Sequence, residues 1–274
     1  MDKTMNLTSP SQVKAWCMAN DFHPNRTLGQ NFLIDRNALV AIVDAGLGAG
    51  PANGVRVLEV GPGLGVLTEE MLRRGAMVTA VEKDPVLASR LAEALGNPPG
   101  LTVVEGDALD VAAGRGGPDV EPSGFDFMVS NLPYQSGTRI LLELVSRRAV
   151  PSITVLVQAE VAARLAAGPG SKTRSLSGVW TQLDYDVKVV RKVAPSCFWP
   201  RPEVGSAVVT LARHDRNAGL SAEKRAFFRR LTKQAFEHRR KQLGSIFKDM
   251  IQSSARAEEL SNEDWLTLVK GLTE

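Results

Sequence analysis

Four places in the 274-residue chain carry side chains suited to chemistry on a nitrogen-rich ring. Asn131-Leu132-Pro133-Tyr134 closes the apolar run Phe125-Asp126-Phe127-Met128-Val129-Ser130. A side-chain carbonyl at Asn131 can accept from a primary amine, Pro133 fixes the backbone so that neighbouring carbonyls converge, and Tyr134 offers a face for stacking. Alone, such a tetrapeptide is punctuation at the end of a strand. Gly61-Pro62-Gly63-Leu64-Gly65 follows Val57-Leu58-Glu59-Val60 directly and leads into helix formers, a turn that lets a ligand approach the main chain. It is not a dinucleotide fingerprint, because Val66 stands where G-x-G-x-x-G requires glycine. Glu82, 21 residues beyond Gly61, suits ribose hydroxyls of a nicotinamide or adenosine cofactor. Asp107, in Glu105-Gly106-Asp107-Ala108, is placed to accept from an adenine amine. Taken singly, either acid is more often a loop cap or a solvated charge.

The elements that must position these residues alternate. Apolar or β-branched runs at Arg56–Val60, Met77–Glu82, Leu101–Asp107, Phe125–Asn131 and Ser152–Gln158 predict strands. Helical patterns at Val66–Arg74, Pro85–Leu95 and Gly137–Arg148 lie between them, with Asp84-Pro85 as an N-cap and first helical position. Such alternation predicts an α/β fold with a mostly parallel sheet covered on both faces. Asp186–Val193 and Ser206–Leu211 bring the count to seven strands, after a helix over Ala159–Ala167 that ends in Gly168-Pro169-Gly170. Ahead of the sheet, Ser11–Ala19 and Asn37–Ala45, the latter capped by Asp35, read as helices. The four chemical sites then share the carboxyl edge of the sheet, where parallel sheets bind ligands.

From about Arg213 the character changes to all-helical. Ser221 begins an amphipathic pattern with Phe227, Leu231, Ala235 and Phe236 available for burial. The net charge of +3 conceals a segment, 213–248, with eleven Lys or Arg against three acids. That segment is a footprint for a polyanion, set against the plainer reading of a solvated helix face. We therefore expect a sheet-bearing domain over 1–212 and a small, basic, all-α domain over 213–274 suited to a polyanion.

At 43% hydrophobic the chain can bury a sizeable core, and no apolar run reaches the ~18–20 residues of a membrane span. The N-terminus lacks a basic segment followed by an apolar one, so a cytoplasmic protein is expected. Cys17 and Cys197 form no C-x-x-C pair, and His23, His214 and His238 share no ligand spacing, which predicts neither a disulfide scaffold nor a metal site.

The ordered series of a glycine loop, two strand-end acids and N-L-P-Y resembles the Rossmann-like S-adenosylmethionine-dependent methyltransferases. Leu28-Gly29-Gln30-Asn31-Phe32-Leu33, Phe198-Trp199-Pro200-Arg201-Pro202-Glu203-Val204 and Ser206-Ala207-Val208-Val209 narrow the resemblance to the ribosomal RNA adenine dimethyltransferases. Ala166–Lys172 and Ala235–Lys241 resemble the housekeeping small-subunit branch more than the erythromycin-resistance enzymes of large-subunit RNA. The resemblance implies that Asn31, Leu33, Gly61, Glu82, Asp107 and Asn131 hold S-adenosyl-L-methionine, released as S-adenosylhomocysteine. It implies that Asn131, Leu132, Pro133 and Tyr134 hold the target adenine, and that the product is a pair of adjacent N6,N6-dimethyladenosines in the 3′-terminal hairpin loop of 16S rRNA. Arg239, Arg240 and Lys241 are expected to contact RNA, with a monomer acting on a small-subunit precursor. Gly205 stands where an aspartate commonly precedes S-A-V-V, Arg174-Ser175 where an aromatic-glycine pair is frequent, and His23–Thr27 is less basic than is usual there. The competing readings are a non-catalytic assembly factor that keeps the fold, a 23S rRNA methyltransferase, a DNA or small-molecule methyltransferase, and, weakest, a nicotinamide-linked oxidoreductase.

Overall fold

The computed structural model describes residues 5–25, 29–117 and 120–273. Arg26, Thr27 and Leu28, part of the segment leading into and opening L-G-Q-N-F-L, lie outside the described residues. The chain divides into two units, Met1–Ala162 with Lys188–Ala212, and Ala163–Val187 with Arg213–Glu274. The segment 163–187, assigned to the sheet-bearing domain on sequence, packs instead with the helical unit. Its apolar residues Val179 and Leu183 explain why, since both are buried in the helical unit's core.

The sheet has seven strands: β1 (Arg56–Val60), β2 (Met77–Glu82), β3 (Leu101–Glu105), β4 (Phe127–Asn131), β5 (Ser152–Gln158), β6 (Tyr185–Val193) and β7 (Ser206–Arg213). Their order is β3-β2-β1-β4-β5-β7-β6, so the chain reverses direction of travel across the sheet between β1 and β4. Pairings from β3 through β5 are parallel, and β7 runs antiparallel to β5 with Ser206 opposite Gln158. Central strands are apolar on both faces, as sheets covered on both sides require: in β5, Ile153 through Val157 are all buried. Each such Val, Leu or Ile contributes about 1.5–3 kcal/mol by leaving water.

In the same unit lie the helices α1 (Pro10–Ala19), α2 (Arg36–Leu47), α3 (Val66–Arg73), α4 (Pro85–Ala94), α5 (Ala108–Ala112) and α6 (Gly137–Arg147), and α7 (Ala159–Ala166) begins there. Caps set their starts: Asp35 accepts from Ala38 N at 2.7 Å, and Asp84 accepts from Val86 N and Leu87 N at 3.0 and 3.3 Å. A second, two-stranded pairing joins Phe32–Leu33 to Phe198–Trp199. It fixes the lead-in segment before α2, which the sequence pattern leaves without an element of its own.

The helical unit contains α8 (Leu176–Gln182), α9 (Ala222–Glu237), α10 (Leu243–Phe247) and α11 (Asn262–Thr273). Its core takes Phe228, Leu231 and Ala235 from α9, with Trp265 and Val269 from α11. Phe227 and Phe236, expected inside, are only half-buried, and Phe228 and Thr232 take the inner positions. The helix is turned slightly from the expected face. Arg174, one of the departures from the family pattern, is buried in this unit and donates to the Ala167 carbonyl at 2.7 Å, Gln182 Oε1 at 3.0 Å and Asn262 Oδ1 at 3.3 Å. Its neighbour Ser175 caps α8 by accepting from Gly178 N at 3.2 Å. Arg174-Ser175 thus serves the internal framework of the helical unit.

Candidate active site

All the strand-end residues singled out on sequence line one cleft of about 240 Å³ at the carboxyl edge of the sheet. Asn31 and Leu33 reach it from the lead-in segment, Gly61 from the loop after β1, Glu82 from the end of β2, and Asp107 from the loop after β3. Asn131 through Tyr134 close it after β4. The site sits beside the reversal between β1 and β4, the place where open parallel sheets splay and leave a crevice.

Gly61 and Gly63 have φ of +65° and +58°, a region disfavoured for side-chain-bearing residues, so the loop's tight path requires glycine. A Cβ at Gly61 would meet only Pro133 Cδ, at 3.8 Å, which leaves the main chain open to a ligand. Glu82 is held from two sides, accepting from Gly63 N at 3.1 Å and Asp84 N at 2.9 Å. Burial raises its carboxyl pKa, and those two donors oppose the rise. Asp107 accepts from Lys83 Nζ and from Leu109 N, both at 2.8 Å, and the lysine beside it lowers its pKa.

Asn131 is anchored by a bond across a hundred residues of sequence, its Nδ2 donating to the Asn31 carbonyl at 3.1 Å. A carbonyl can only accept, so the amide must turn its nitrogen toward Asn31 and its oxygen away. That oxygen is buried and has no hydrogen-bond partner among the described residues. Asn31 is itself oriented, since its Nδ2 donates to the Gly29 carbonyl at 3.1 Å. Gly29, at φ +69°, lies so close to the motif that a Cβ there would stand 3.0 Å from Tyr134 N.

Three participants escaped the sequence reading. Glu59 is fully buried against the cleft, accepts from Thr68 Oγ1 at 2.6 Å, and has its pKa pushed up to about 8, chiefly by burial and further by Glu82. It stood inside a quoted motif, but its position looks like any other strand residue. Gln30 bridges the lead-in segment to the α4 cap, donating to Asp84 Oδ2 at 3.0 Å. Ser206, buried at the start of β7, lies 2.6 Å from the Tyr134 hydroxyl. Only the fold brings it there, from 72 residues away.

The Tyr134–Ser206 bond restrains the ring, so if Tyr134 stacks on the target base, as expected from the sequence, its removal should act on base placement. We expect Tyr134→Phe and Ser206→Ala each to raise the RNA KM about 3–10-fold, as loss of one such bond does, with little change in kcat. The double variant should be no worse than either single. Steady-state kinetics on all three check this, and additive losses would show that the two groups act separately.

The expected RNA contacts divide. Arg240 and Lys241 are exposed. Arg239 is committed within the helical unit, donating to the Glu258 carboxylate and to the Lys172 carbonyl. Among the described residues no cluster of His, Cys, Asp and Glu could hold a metal ion, and no helix is long and apolar enough to cross a membrane.

A seven-stranded, mostly parallel sheet with its glycine loop, two strand-end carboxylates and an amide after β4 defines a Rossmann-like methyltransferase. The chain belongs to the ribosomal RNA adenine dimethylase family, which matches it over residues 21–273. It is 45% identical over 205 residues to the ribosomal RNA small subunit methyltransferase A of Deinococcus radiodurans, covering 75% of this chain and 67% of that one. The protein of the same name from Mycobacterium bovis is 36% identical over 291 residues, covering 97% and 89% respectively. In fold it is similar to a dimethyladenosine transferase from Plasmodium falciparum, with a TM-score of 0.74 at 22% identity over 88% of this chain and 97% of the other.

Proposed function

We propose that the chain transfers methyl groups from S-adenosylmethionine to the exocyclic N6 of two adjacent adenosines in the 3′-terminal hairpin loop of 16S rRNA. The products are N6,N6-dimethyladenosines, formed in the cytoplasm during small-subunit maturation. The relatives named for small-subunit methylation, at 36–45% identity, support this target over large-subunit RNA. The intact strand-end set argues against a purely structural assembly factor. The observation that carries the chemistry is the buried Oδ1 of Asn131, an acceptor with nothing among the described residues to accept from.

The donor set fits the cofactor. Glu82 would hold the ribose, Asp107 the adenine amine, and the open main chain at Gly61 the methionine part, with Asn31 and Leu33 closing over them. When bound, S-adenosylmethionine supplies an electrophilic methyl and leaves as S-adenosylhomocysteine. The chain's residues do the rest by orientation. In flat adenine the N6 lone pair is delocalised into the ring. Asn131 Oδ1 and the Leu132 carbonyl accept the two N–H bonds, which favours a pyramidal nitrogen with its lone pair free to point outward. Pro133 holds that main-chain geometry, and Tyr134 supports the flipped base by stacking worth about 1–3 kcal/mol. No strong base is needed, because the nitrogen loses its proton readily once it has gained the fourth bond.

In this reading the sheet-bearing unit is the catalytic domain, and the helical unit, with Arg240 and Lys241, binds RNA phosphates. Labelled methyl transfer to unmethylated small subunits, with large-subunit RNA and DNA in parallel, tests the whole. Label should enter small-subunit RNA alone, with dimethyladenosine in the digest. Label in large-subunit RNA, or cofactor binding without transfer to any RNA, would overturn it.

A further inference from the structure

The lead-in segment, Gly29 through Leu33, forms one wall of the cleft. Several of its ties run toward the segments after β4 and β6. Asn131 Nδ2 donates to the Asn31 carbonyl at 3.1 Å, Phe32 and Leu33 pair with Trp199 and Phe198, and Ile34 N donates to the Cys197 carbonyl at 2.8 Å. The Gln30 side chain runs the other way. Its Nε2 donates to Asp84 Oδ2 at 3.0 Å, 54 residues along the chain, in the turn after β2.

The Gln30 carboxamide is fixed in orientation. Its Oε1 accepts from Asn25 N at 2.7 Å, and its main-chain N donates to the Asn25 carbonyl at 3.2 Å, so Nε2 is the group turned to Asp84. Asp84 is fixed in turn. Its Oδ1 accepts from Val86 N and Leu87 N at the start of α4, and its own N donates to Glu82 Oε1 at 2.9 Å. Glu82 Oε2 then accepts from Gly63 N at 3.1 Å. Hydrogen bonds and single steps of main chain thus join Asn131, Asn31, Gln30, Asp84, Glu82 and Gly63 in one run. Asp84 apart, every member lines the cleft. Gln30 and Asp84 are both half-buried, and a donor to a carboxylate makes a stronger bond than one between neutral groups.

We infer that Gln30 is a positioning residue for the cofactor: its bond to Asp84 sets the spacing between the wall that carries Asn31 and Leu33 and the turn that carries Glu82. The inference rests on the reading of the cleft as an S-adenosylmethionine site and adds the strut that keeps it open to the right width. A bound cofactor touches both walls and holds them together itself. The strut therefore acts on capture of the cofactor, by sparing the cost of ordering the wall, and not on the transfer step.

The test is calorimetry with S-adenosylhomocysteine. Gln30→Ala should weaken binding about 5–30-fold, as loss of one half-buried bond to a carboxylate does. Gln30→Glu sets two carboxylates face to face and Asp84→Asn sets two NH₂ groups face to face, so each should weaken binding at least as much. Gln30→Glu/Asp84→Asn rebuilds the bond with donor and acceptor exchanged, and the introduced asparagine keeps an oxygen for the α4 amides; affinity should return to within about 3-fold of the unsubstituted chain. In methyl transfer to unmethylated small subunits, Gln30→Ala should raise the KM for S-adenosylmethionine by the same factor as the affinity loss and leave kcat within about 2-fold. Without ligand, hydrogen exchange of the lead-in amides should be faster in Gln30→Ala and restored in the double variant. Unchanged affinity in Gln30→Ala, a double variant as weak as the singles, or a loss confined to kcat overturns the strut. Thermal melting should stay close to that of the unsubstituted chain in all four; melting that falls in step with affinity would make Gln30 a framework residue and overturn it too. If the unsubstituted chain does not bind S-adenosylhomocysteine, the cofactor reading fails first; if it binds and Gln30→Ala matches it, the strut alone fails.

Discussion

We expect Asn131→Ala to methylate small-subunit RNA about 10²–10³-fold more slowly than the unsubstituted chain while binding S-adenosylmethionine within a few-fold. That range is what removal of one preorganised dipole at a reacting centre costs. The loss falls on transfer because Oδ1 is the atom left without a partner by the fold, whereas Nδ2 makes the bond to the Asn31 carbonyl that ties two chain segments together. Removing both atoms therefore also loosens the lead-in segment, which accounts for the small change in cofactor affinity. Single-turnover transfer and calorimetry on the same preparation separate the two effects. Undiminished transfer would sink the mechanism, and collapse of cofactor binding would move Asn131 from substrate placement to cofactor retention.

Glu59→Gln should change how stability depends on pH, in a direction the burial of Glu59 fixes. Its folded pKa, about 8, lies above the ordinary 4.5, so the folded protein holds a proton that the unfolded chain releases. Stability associated with that proton is complete below about pH 4.5 and drains away as pH rises through about 8. Glutamine keeps an oxygen for the Thr68 hydroxyl and cannot ionise. The two proteins should melt alike near pH 5, and the variant should be the more stable above pH 8 by on the order of a few kcal/mol, or several degrees. Glu82, raised in the same direction, remains in both and leaves a residual slope in the variant. Parallel melting curves across that range would mean that Glu59 is ionised in the folded state.

How much of this was legible beforehand depended on whether the cause was local. The strands Arg56–Val60, Met77–Glu82 and Ser152–Gln158 end where the apolar runs end, because burial on both faces writes itself into consecutive residues. Leu101–Asp107 runs two residues long as a prediction, since Asp107 turns its carboxylate back to cap α5. Phe125 and Asp126 likewise precede β4 proper, where the Asp126 carboxylate accepts from Arg56 N at 2.9 Å. The nine strand-end and lead-in positions quoted from motifs all reached one cleft, since sheet order brings the ends of β1, β2, β3 and β4 together. Partners supplied by distant segments stayed invisible. Ser206 on Tyr134, Gln30 on Asp84 and Glu258 on Arg239 depend on tertiary approach, and no spacing within the chain encodes them. The face of α9 went astray for a different reason: Phe227 and Phe228 are adjacent, and hydrophobicity does not say which of two neighbouring rings turns inward.

The bond from Asn131 to the Asn31 carbonyl makes the handedness of that amide a shared property of two segments. An unanchored carboxamide can rotate by half a turn and present its NH₂ where its oxygen had been, repelling an amine and welcoming a carbonyl. Adenine shows an amine at the position where inosine shows a carbonyl. On the proposed reading of Asn131 as the amine acceptor, the lead-in segment would act as a selector as well as a cover: a chain shortened past Asn31 should lose its ability to tell one purine from the other before it loses its sheet.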